Sequence, residues 1–248
     1  MSEWLGLLRS FIIYWRPGRQ RRLRQLYRSL VGPGDLVFDI GAHLGDRTLA
    51  FATLGARVVA LEPQPQLFSW LQHLVGRHAR VTVRTEAVGR GVGIAQLAIS
   101  RRTPTVSTLA KAWRQQIPET NPSFRHVRWD QFVDVPVTTL DALIDMYGLP
   151  AFCKIDVEGY EAEVLAGLSH RVPRMSLEFV SGSLDIAVSC VRRLNELGTY
   201  EFNAVPGEQR HFVFDSWVTS NHLLEWLGAG AKGISSGDLY AQLVQQPH

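Results

Sequence analysis

The chain has 248 residues, of which 46% are apolar and 20% charged, and its formal net charge is only +3. These values are ordinary for a soluble globular protein and allow a sizeable core. The two cysteines, Cys153 and Cys190, form no CxxC motif and exclude a disulfide framework. Their pattern favours a reducing compartment, and we expect a cytoplasmic protein.

The positive charge is concentrated in residues 1–30, which carry seven arginines and a single acid. Leu23, Leu26 and Leu30 recur there at helical spacing, which predicts a basic amphipathic helix. Its arginines could be a solvated face of a helix packed on the main domain. They could also contact an acidic partner, a phosphate or a membrane surface. The arginines are Arg9, Arg16, Arg19, Arg21, Arg22, Arg24 and Arg28.

The apolar stretch at residues 4–15 precedes this helix, and Arg9 interrupts it. It is shorter than the ~20 apolar residues that span a bilayer. It also lacks the basic leader and the small-residue cleavage site of a signal peptide. This stretch could cap the core, form a homodimer or lie on a membrane surface.

From Gly34 onward, short β-rich runs alternate with helical periods. This alternation predicts right-handed βαβ crossovers and a parallel sheet in one three-layer α/β domain. We assign residues 1–32 to an N-terminal helical extension and 33–248 to a single catalytic domain. Residues 103–134 are polar and weakly periodic, which predicts a long irregular lid or binding loop. Strands are predicted at 36–40, 57–61, 80–85, 93–100, 152–157, 175–180, 200–205 and 238–244, the last two as an antiparallel pair. Helices are predicted at 46–54, 67–74, 140–147, 160–168 and 184–197.

The first predicted strand ends in a glycine-containing turn, with Gly41 and Gly45 three residues apart. In a doubly wound sheet, ligands bind at this carboxyl edge, and glycine lets a ligand approach the backbone closely. The spacing is GxxxG rather than GxGxxG, which argues against NAD or FAD. The chain also has no GxxxxGK[ST] motif for a phosphate-binding loop.

The second predicted strand ends in Glu62, 23 residues after Asp39 (62 − 39 = 23). A carboxylate at this position can accept hydrogen bonds from both hydroxyls of a ribose. Asp39 adds a second negative group, so a cationic nucleoside without phosphate fits best. These features point to S-adenosylmethionine, with the Glu86–Val88 loop beside the adenine.

The segment TTLDALIDMYGLPAFCKIDVEGYEAEVLAGL, residues 138–168, contains TLDxL followed by KIDVEGxExxVLxG. Together with FDIGAHLGD, the Glu62-Pro63 pair, SLEF at 176–179 and GDLYA at 237–241, it resembles the FkbM family of S-adenosylmethionine-dependent methyltransferases. The resemblance covers residues 33–243 and leaves out the arginine-rich segment.

The resemblance implies a Rossmann-like class I methyltransferase fold: a three-layer αβα sandwich whose mostly parallel seven-stranded sheet has its last strand inserted antiparallel. It also implies O-methylation of a hydroxyl on a sugar, a polyketide or another small-molecule or glycan acceptor. An amide or small polar residue is common in the family where Glu86 stands. The residues expected to bind the cofactor are Asp39, Gly41, Ala42, His43, Gly45, Asp46, Glu62, Pro63, Glu86, Ala87, Val88 and Asp156.

Three acids are the catalytic candidates, with Asp156 first, then Glu158 and Glu178. A carboxylate beside the acceptor hydroxyl could take its proton as the methyl group is transferred. Lys154, two residues upstream, is expected to lie deeper and pair with a carboxylate. Glu158 could instead cap the following helix. The three acids could also hold a divalent cation, but no histidine set supports one, and we predict no metal.

The sequence leaves two roles possible for His43: a contact to the cofactor or the acceptor, or packing within the loop. Trp113, Phe124 and Trp129 could line the acceptor pocket or anchor a lid. A non-catalytic S-adenosylmethionine-binding protein acting through its basic N-terminus is the second hypothesis, and a nicotinamide oxidoreductase is the third. No nucleic-acid partner is expected.

Overall fold

A buried, mostly parallel sheet forms the centre of the protein. The computed structural model describes residues 11–12, 14–207 and 209–244. The strands are β1 (Leu36–Ile40), β2 (Arg57–Leu61), β3 (Val81–Arg84), β4 (Ala87–Val88), β5 (Gly93–Ile99), β6 (Gln131–Thr138), β7 (Phe152–Ile155), β8 (Arg174–Val180), β9 (Tyr200–Pro206), β10 (Val218–Thr219) and β11 (Ser236–Leu243). The helices are α1 (Arg19–Tyr27), α2 (Asp46–Thr53), α3 (Pro65–Val75), α4 (Lys111–Thr120), α5 (Leu140–Tyr147), α6 (Glu161–Ala166), α7 (Leu184–Leu197) and α8 (Ser220–Gly228).

The main sheet has the order β10-β9-β11-β8-β7-β1-β2-β3. Strand β1 lies between β2 and β7 and runs parallel to both, so the carboxyl ends of these three strands meet at one edge. Strand β11 is inserted antiparallel between β8 and β9, as predicted. The two-residue β10 adds an eighth strand to the predicted seven, because it pairs with β9 at the sheet edge.

The prediction of an irregular segment at 103–134 was wrong. This segment contains a 3₁₀ turn at Pro104–Val106, helix α4, a second 3₁₀ turn at Pro122–Phe124 and the start of β6. Strand β6 forms a small separate sheet with β4 and β5. The helical period was hard to detect because Pro118 lies inside α4, and only Trp113 and Ile117 are buried there.

The aromatic residues of this segment form their own small core rather than a pocket wall. Trp113 packs edge-on against Phe124 and Trp129, with ring centroids 5.3 and 6.1 Å away. Trp113 Nε1 also donates to Ser183 Oγ at 3.1 Å. They therefore anchor the segment to the domain, which was one of the two predicted roles.

Helix α1 packs its apolar side on the domain. This agrees with the first of the two interpretations of the basic segment, a helix packed on the main domain with a solvated face. Leu23, Leu26 and Tyr27 are buried there, and the Tyr27 ring lies 4.5 Å from that of Phe51 in α2. Most of the apolar stretch 4–15 falls outside the described residues, so its role stays a prediction, as does the domain boundary at 32. Within the described ranges, no helix is long and apolar enough to cross a membrane.

Arg19 is the main polar link between α1 and the domain. Only 1% of its side chain is exposed, and its Nε donates to Asp46 Oδ2 at 2.6 Å. Replacing Arg19 by Met is expected to lower the free energy of unfolding by about 3 kcal/mol, because Asp46 stays buried without its closest partner. Adding Asp46→Asn should recover most of that loss.

Urea titration of the three variants measures this effect. Arg90→Met is the control, because the Arg90–Glu163 pair is exposed and should contribute little to stability. An equal loss in the Arg90 and Arg19 variants would contradict the burial argument.

Candidate active site

The turn after β1 crosses the end of β7 at very close range. Gly41 has φ +79°, and a Cβ on it would overlap the carbonyl oxygen of Asp156. Gly45 also has φ +79° and opens α2 against Leu71 and Val75. The glycines were expected to admit a ligand to the backbone. In the structure, each of them also gives room to a neighbouring part of the same chain, and the contact with a ligand stays a prediction.

Glu62 joins this turn to the end of β2. Its Oε2 accepts from the His43 backbone N–H and its Oε1 from that of Gln64, both at 2.9 Å. Only 5% of the residue is exposed, and burial raises the pKa of Glu62 to about 7. Each oxygen keeps a further lone pair, so the fixed carboxylate can still accept hydroxyl donors.

Asp39 ends β1 with one oxygen satisfied and one without a partner. Thr48 Oγ1 donates to Asp39 Oδ2 at 2.6 Å, whereas the buried Oδ1 has no hydrogen bond among the described residues. Burial raises the pKa of this carboxyl group. An orphaned, buried acceptor of this kind is expected where a donor or cation binds.

His43 is held in a left-handed conformation, with φ +52°. Its ring lies 4.8 Å from that of Tyr14, and its two buried nitrogens have no hydrogen-bond partner in the described ranges. Burial lowers the pKa of His43 to about 4, so the imidazole is neutral at pH 7. Because it faces the cavity described below, the loop-packing role alone does not account for it.

Lys154 and Asp156 form a buried ion pair at the end of β7, with Nζ 2.7 Å from Oδ2, as predicted for Lys154. Burial alone would raise the pKa of Asp156, but the positive charges of Lys154 and Arg47 lower it to about 2. Asp156 therefore stays ionised at any pH at which the protein is used.

The carboxylates of Asp156, Glu158 and Glu178 converge, each with an oxygen within 4.8 Å of the others. Burial and the charge of Asp156 raise the pKa values of Glu158 and Glu178 well above normal. One ionised carboxylate thus stands beside two carboxyl groups that hold a proton more tightly than usual. This spacing also suits a divalent cation, and the expectation of no metal stays a prediction.

Glu158 does not cap the following helix, so that alternative was wrong. Glu161 Oε1 accepts instead from the backbone N–H groups of Val157 and Gly159, at 3.1 and 3.4 Å. Glu158 has φ +54°, and its carbonyl oxygen accepts from Thr108 Oγ1 at 2.7 Å. Its carboxyl group is thereby left to the acid cluster.

Glu86 forms an ion pair with Arg84, which also donates to Tyr147 Oη at 3.2 Å. Arg84 lowers the pKa of Glu86. The carboxylate is therefore already engaged, which favours the backbone of Ala87 and Val88 for any contact with an adenine.

One cavity of about 250 Å³ brings nearly all of these groups together. Gly45 is the exception among the predicted residues, because it supports the turn from behind. The predicted residues that line the cavity are Asp39, Gly41, Ala42, His43, Asp46, Glu62, Pro63, Glu86, Ala87, Val88, Asp156, Glu158 and Glu178.

A family model described as the methyltransferase FkbM domain matches residues 39–225, more than half of the chain. The chain belongs to this family. Its order of strands, with β11 inserted antiparallel, is the Rossmann-like class I methyltransferase fold. No curated protein matches it significantly.

Several solved structures resemble this FkbM methyltransferase distantly. A precorrin-6y C5,15-methyltransferase from Geobacter metallireducens is 14% identical with a TM-score of 0.48, covering 91% of this chain and 86% of that one. A fibrillarin from Aeropyrum pernix, solved with S-adenosyl-L-methionine, is 13% identical with a TM-score of 0.42, covering 86% and 68%. An S-adenosylmethionine-dependent O-methyltransferase from Thermotoga maritima is 13% identical with a TM-score of 0.40, covering 94% and 67%.

S-adenosylmethionine is the cofactor of this FkbM methyltransferase, and the residues present fit it. The cofactor carries a sulfonium and an ammonium, and the cavity offers the unpartnered Asp39 Oδ1 and the fixed carboxylate of Glu62. Acids outnumber bases along the cavity, where Lys154 and Arg47 are the cations among the described lining residues. A ligand with positive charge relieves this imbalance.

The cavity residues of this FkbM methyltransferase that were missed from the sequence include Arg47, Asp238 and Tyr14. Arg47 lies between Asp46 and Asp238, 3.9 and 3.7 Å from their carboxylates, and Asp238 faces Glu178 across β11 and β8. Tyr14 reaches the cavity from the N-terminal segment. The GDLYA motif contains Asp238 and could have indicated it, whereas nothing in the sequence indicated Tyr14.

The affinity for S-adenosylmethionine is expected to rise with pH through about 7, because the cationic ligand favours ionised Glu62 over its protonated form. Binding below pH 7 should release a proton from Glu62. Calorimetry in buffers of different ionisation enthalpy measures this release. The Glu62→Gln variant should bind more weakly and lose this part of the pH dependence. An identical pH profile in both proteins would contradict the role of Glu62.

Proposed function

We propose that this enzyme methylates a hydroxyl oxygen of a sugar or another polyhydroxylated small molecule or glycan. The acid cluster carries the proposal, because the ionised Asp156 converges with Glu158 and Glu178, whose raised pKa values favour their proton-donating form. A sugar presents neighbouring hydroxyls, each of which can both donate and accept. Such a ligand can donate to Asp156 and accept from the two carboxylic acids.

When bound, S-adenosylmethionine supplies an activated methyl group on its sulfonium. Asp156 orients the acceptor hydroxyl by accepting its hydrogen bond. As the oxygen forms its new bond to carbon, its proton becomes strongly acidic, so even a carboxylate of low pKa can take it. Lys154 holds Asp156 in place and ionised, which keeps the acceptor oxygen aligned.

The charge of the site supports a neutral or cationic acceptor over an anionic one. The ionised Asp156 and the carboxylate of Asp238 line the same space and would repel a carboxylate or phosphate near the reacting oxygen. The need for neighbouring hydroxyls favours sugars over polyketides as acceptors, since the hydroxyls of polyketides are fewer and more widely spaced.

Two measurements test the proposal. Calorimetry should show binding of S-adenosylhomocysteine and no comparable binding of NAD. Mass spectrometry after incubation with methyl-labelled S-adenosylmethionine and a panel of free sugars, glycosides and their amino and acidic counterparts should find a methyl ether on a neutral sugar. A label found only on nitrogen, carbon or a carboxylate would contradict methylation of a hydroxyl.

A further inference from the structure

Helix α1 presents a strongly basic surface to solvent. We define the arginine face as Arg16, Arg21, Arg22 and Arg28, all of which are exposed. Arg21 and Arg28 lie on the opposite side of α1 from the buried Leu23, Leu26 and Tyr27, and Arg22 lies at the edge between the two sides. The helix is therefore anchored by one side and leaves the other available to a partner.

No acid neutralises the arginine face within the described part of the chain. None of its four side chains takes part in a described ion pair. Residues 4–34 contain no Asp or Glu in the sequence. A dense, unpaired cluster of this kind attracts an extended anionic surface, because its charges act together.

Apolar residues adjoin this positive charge in the sequence. Ile12 is 64% exposed, although a lone solvated isoleucine gains nothing for the folded protein. Residues 4–15 are predominantly apolar, with tryptophan at both ends. Arginines beside exposed apolar and aromatic residues are typical of segments that lie in the interface of an anionic bilayer. Nucleic-acid binding would use the arginines but would leave Ile12 without a role.

The same segment also reaches the active-site cavity. Tyr14, between Ile12 and Arg16, lines the cavity and packs against His43 with its ring tilted by 56°. Arg19 fixes the start of α1 to Asp46, the first residue of α2. A surface bound to the arginine face would therefore lie next to the wall of the cavity that Tyr14 forms.

We propose that the arginine face, together with Ile12, binds the surface of an anionic phospholipid bilayer. The enzyme then works at the membrane interface, with its cavity beside the lipid headgroups. Arginine binds phosphate oxygens through its planar fork of donors, and Ile12 enters the boundary between headgroups and acyl chains. This proposal does not depend on which acceptor is methylated.

Co-sedimentation of the full chain with phosphatidylcholine vesicles, with and without phosphatidylglycerol, tests the proposal. The wild-type protein should bind only the vesicles that contain phosphatidylglycerol and should dissociate at high salt. Each arginine near an anionic surface contributes about fivefold to partitioning, so changing all four to Gln should weaken binding by more than about a hundredfold. Ile12→Ser should weaken binding and leave its salt dependence unchanged.

The matched control changes four other exposed arginines to Gln, namely Arg77, Arg102, Arg125 and Arg192. This control has the same net charge as the arginine-face variant and should bind vesicles like the wild type. Both variants should bind S-adenosylhomocysteine normally, which shows that they are folded. Equal loss of vesicle binding in the two variants would overturn the proposal. So would a wild-type protein that binds duplex DNA or RNA but no anionic vesicles.

Discussion

Replacement of Asp156 by Asn is expected to lower kcat by about 10²- to 10⁴-fold, the usual contribution of a positioned acid or base. The affinity for S-adenosylhomocysteine should stay within about tenfold, or 1.4 kcal/mol, of the wild type. The amide keeps the shape of the side chain but cannot take the proton of the acceptor. Single-turnover methylation and calorimetry measure the two quantities separately.

The variant also leaves the buried ammonium of Lys154 without its anionic partner, so stability must be measured in parallel. The double variant with Lys154→Gln removes that uncompensated charge. Its kcat should stay low even where stability recovers. Asp130→Asn is the matched control, because the Asp130–Arg101 pair is exposed and neither residue lines the cavity. If kcat recovered with stability in the double variant, Asp156 would be a structural residue and our assignment would be wrong.

Gly41→Ala is expected to lower the free energy of unfolding by about 3 kcal/mol or more. A left-handed alanine costs about 1–2 kcal/mol, and overpacking adds about 1–3 kcal/mol. The new methyl group would overlap the carbonyl oxygen of Asp156, so either β7 or the turn must move. Cofactor affinity should therefore fall by more than about tenfold.

Gly34→Ala separates the two causes. Gly34 also has a left-handed φ, +86°, but a Cβ there would meet nothing within 4 Å. This variant should lose only the conformational contribution of about 1–2 kcal/mol and bind the cofactor normally. Equal losses in the two variants, by urea titration and calorimetry, would show that the contact with Asp156 is unimportant.

The elements with strong periodicity were predicted closely from the sequence. Strand β1 and helix α7 have the bounds that the apolar pattern indicated, and Thr139 caps α5 through its side chain, as expected. The site followed from one rule, since the carboxyl ends of adjacent parallel strands must meet. That rule brought Asp39, Glu62 and Asp156 to one edge before any contact was known.

The rest depended on contacts between distant parts of the chain. The burial pattern of α4 is set by packing against Val180 and Phe124, which no local period encodes. Helix α8 carried a usable signal, with Thr219 as its cap and Leu223, Trp226 and Leu227 buried, but it was missed. Tyr14 lies in the site beside the buried Arg19, whose guanidinium packs over the Tyr14 ring. Burial of an arginine contradicts its usual preference, so the sequence did not indicate this contact.

The position of β11 between β8 and β9 has a consequence for how the protein is made. Residues 236–243 occupy the interior of the sheet, yet they are synthesised after every other described strand. During translation, β8 and β9 therefore have no neighbour on their facing edges until β11 emerges. Such edges favour chaperone binding and mispairing on the ribosome. Asp238 arrives with the same strand, so the enzyme completes its sheet and its active site in a single late step.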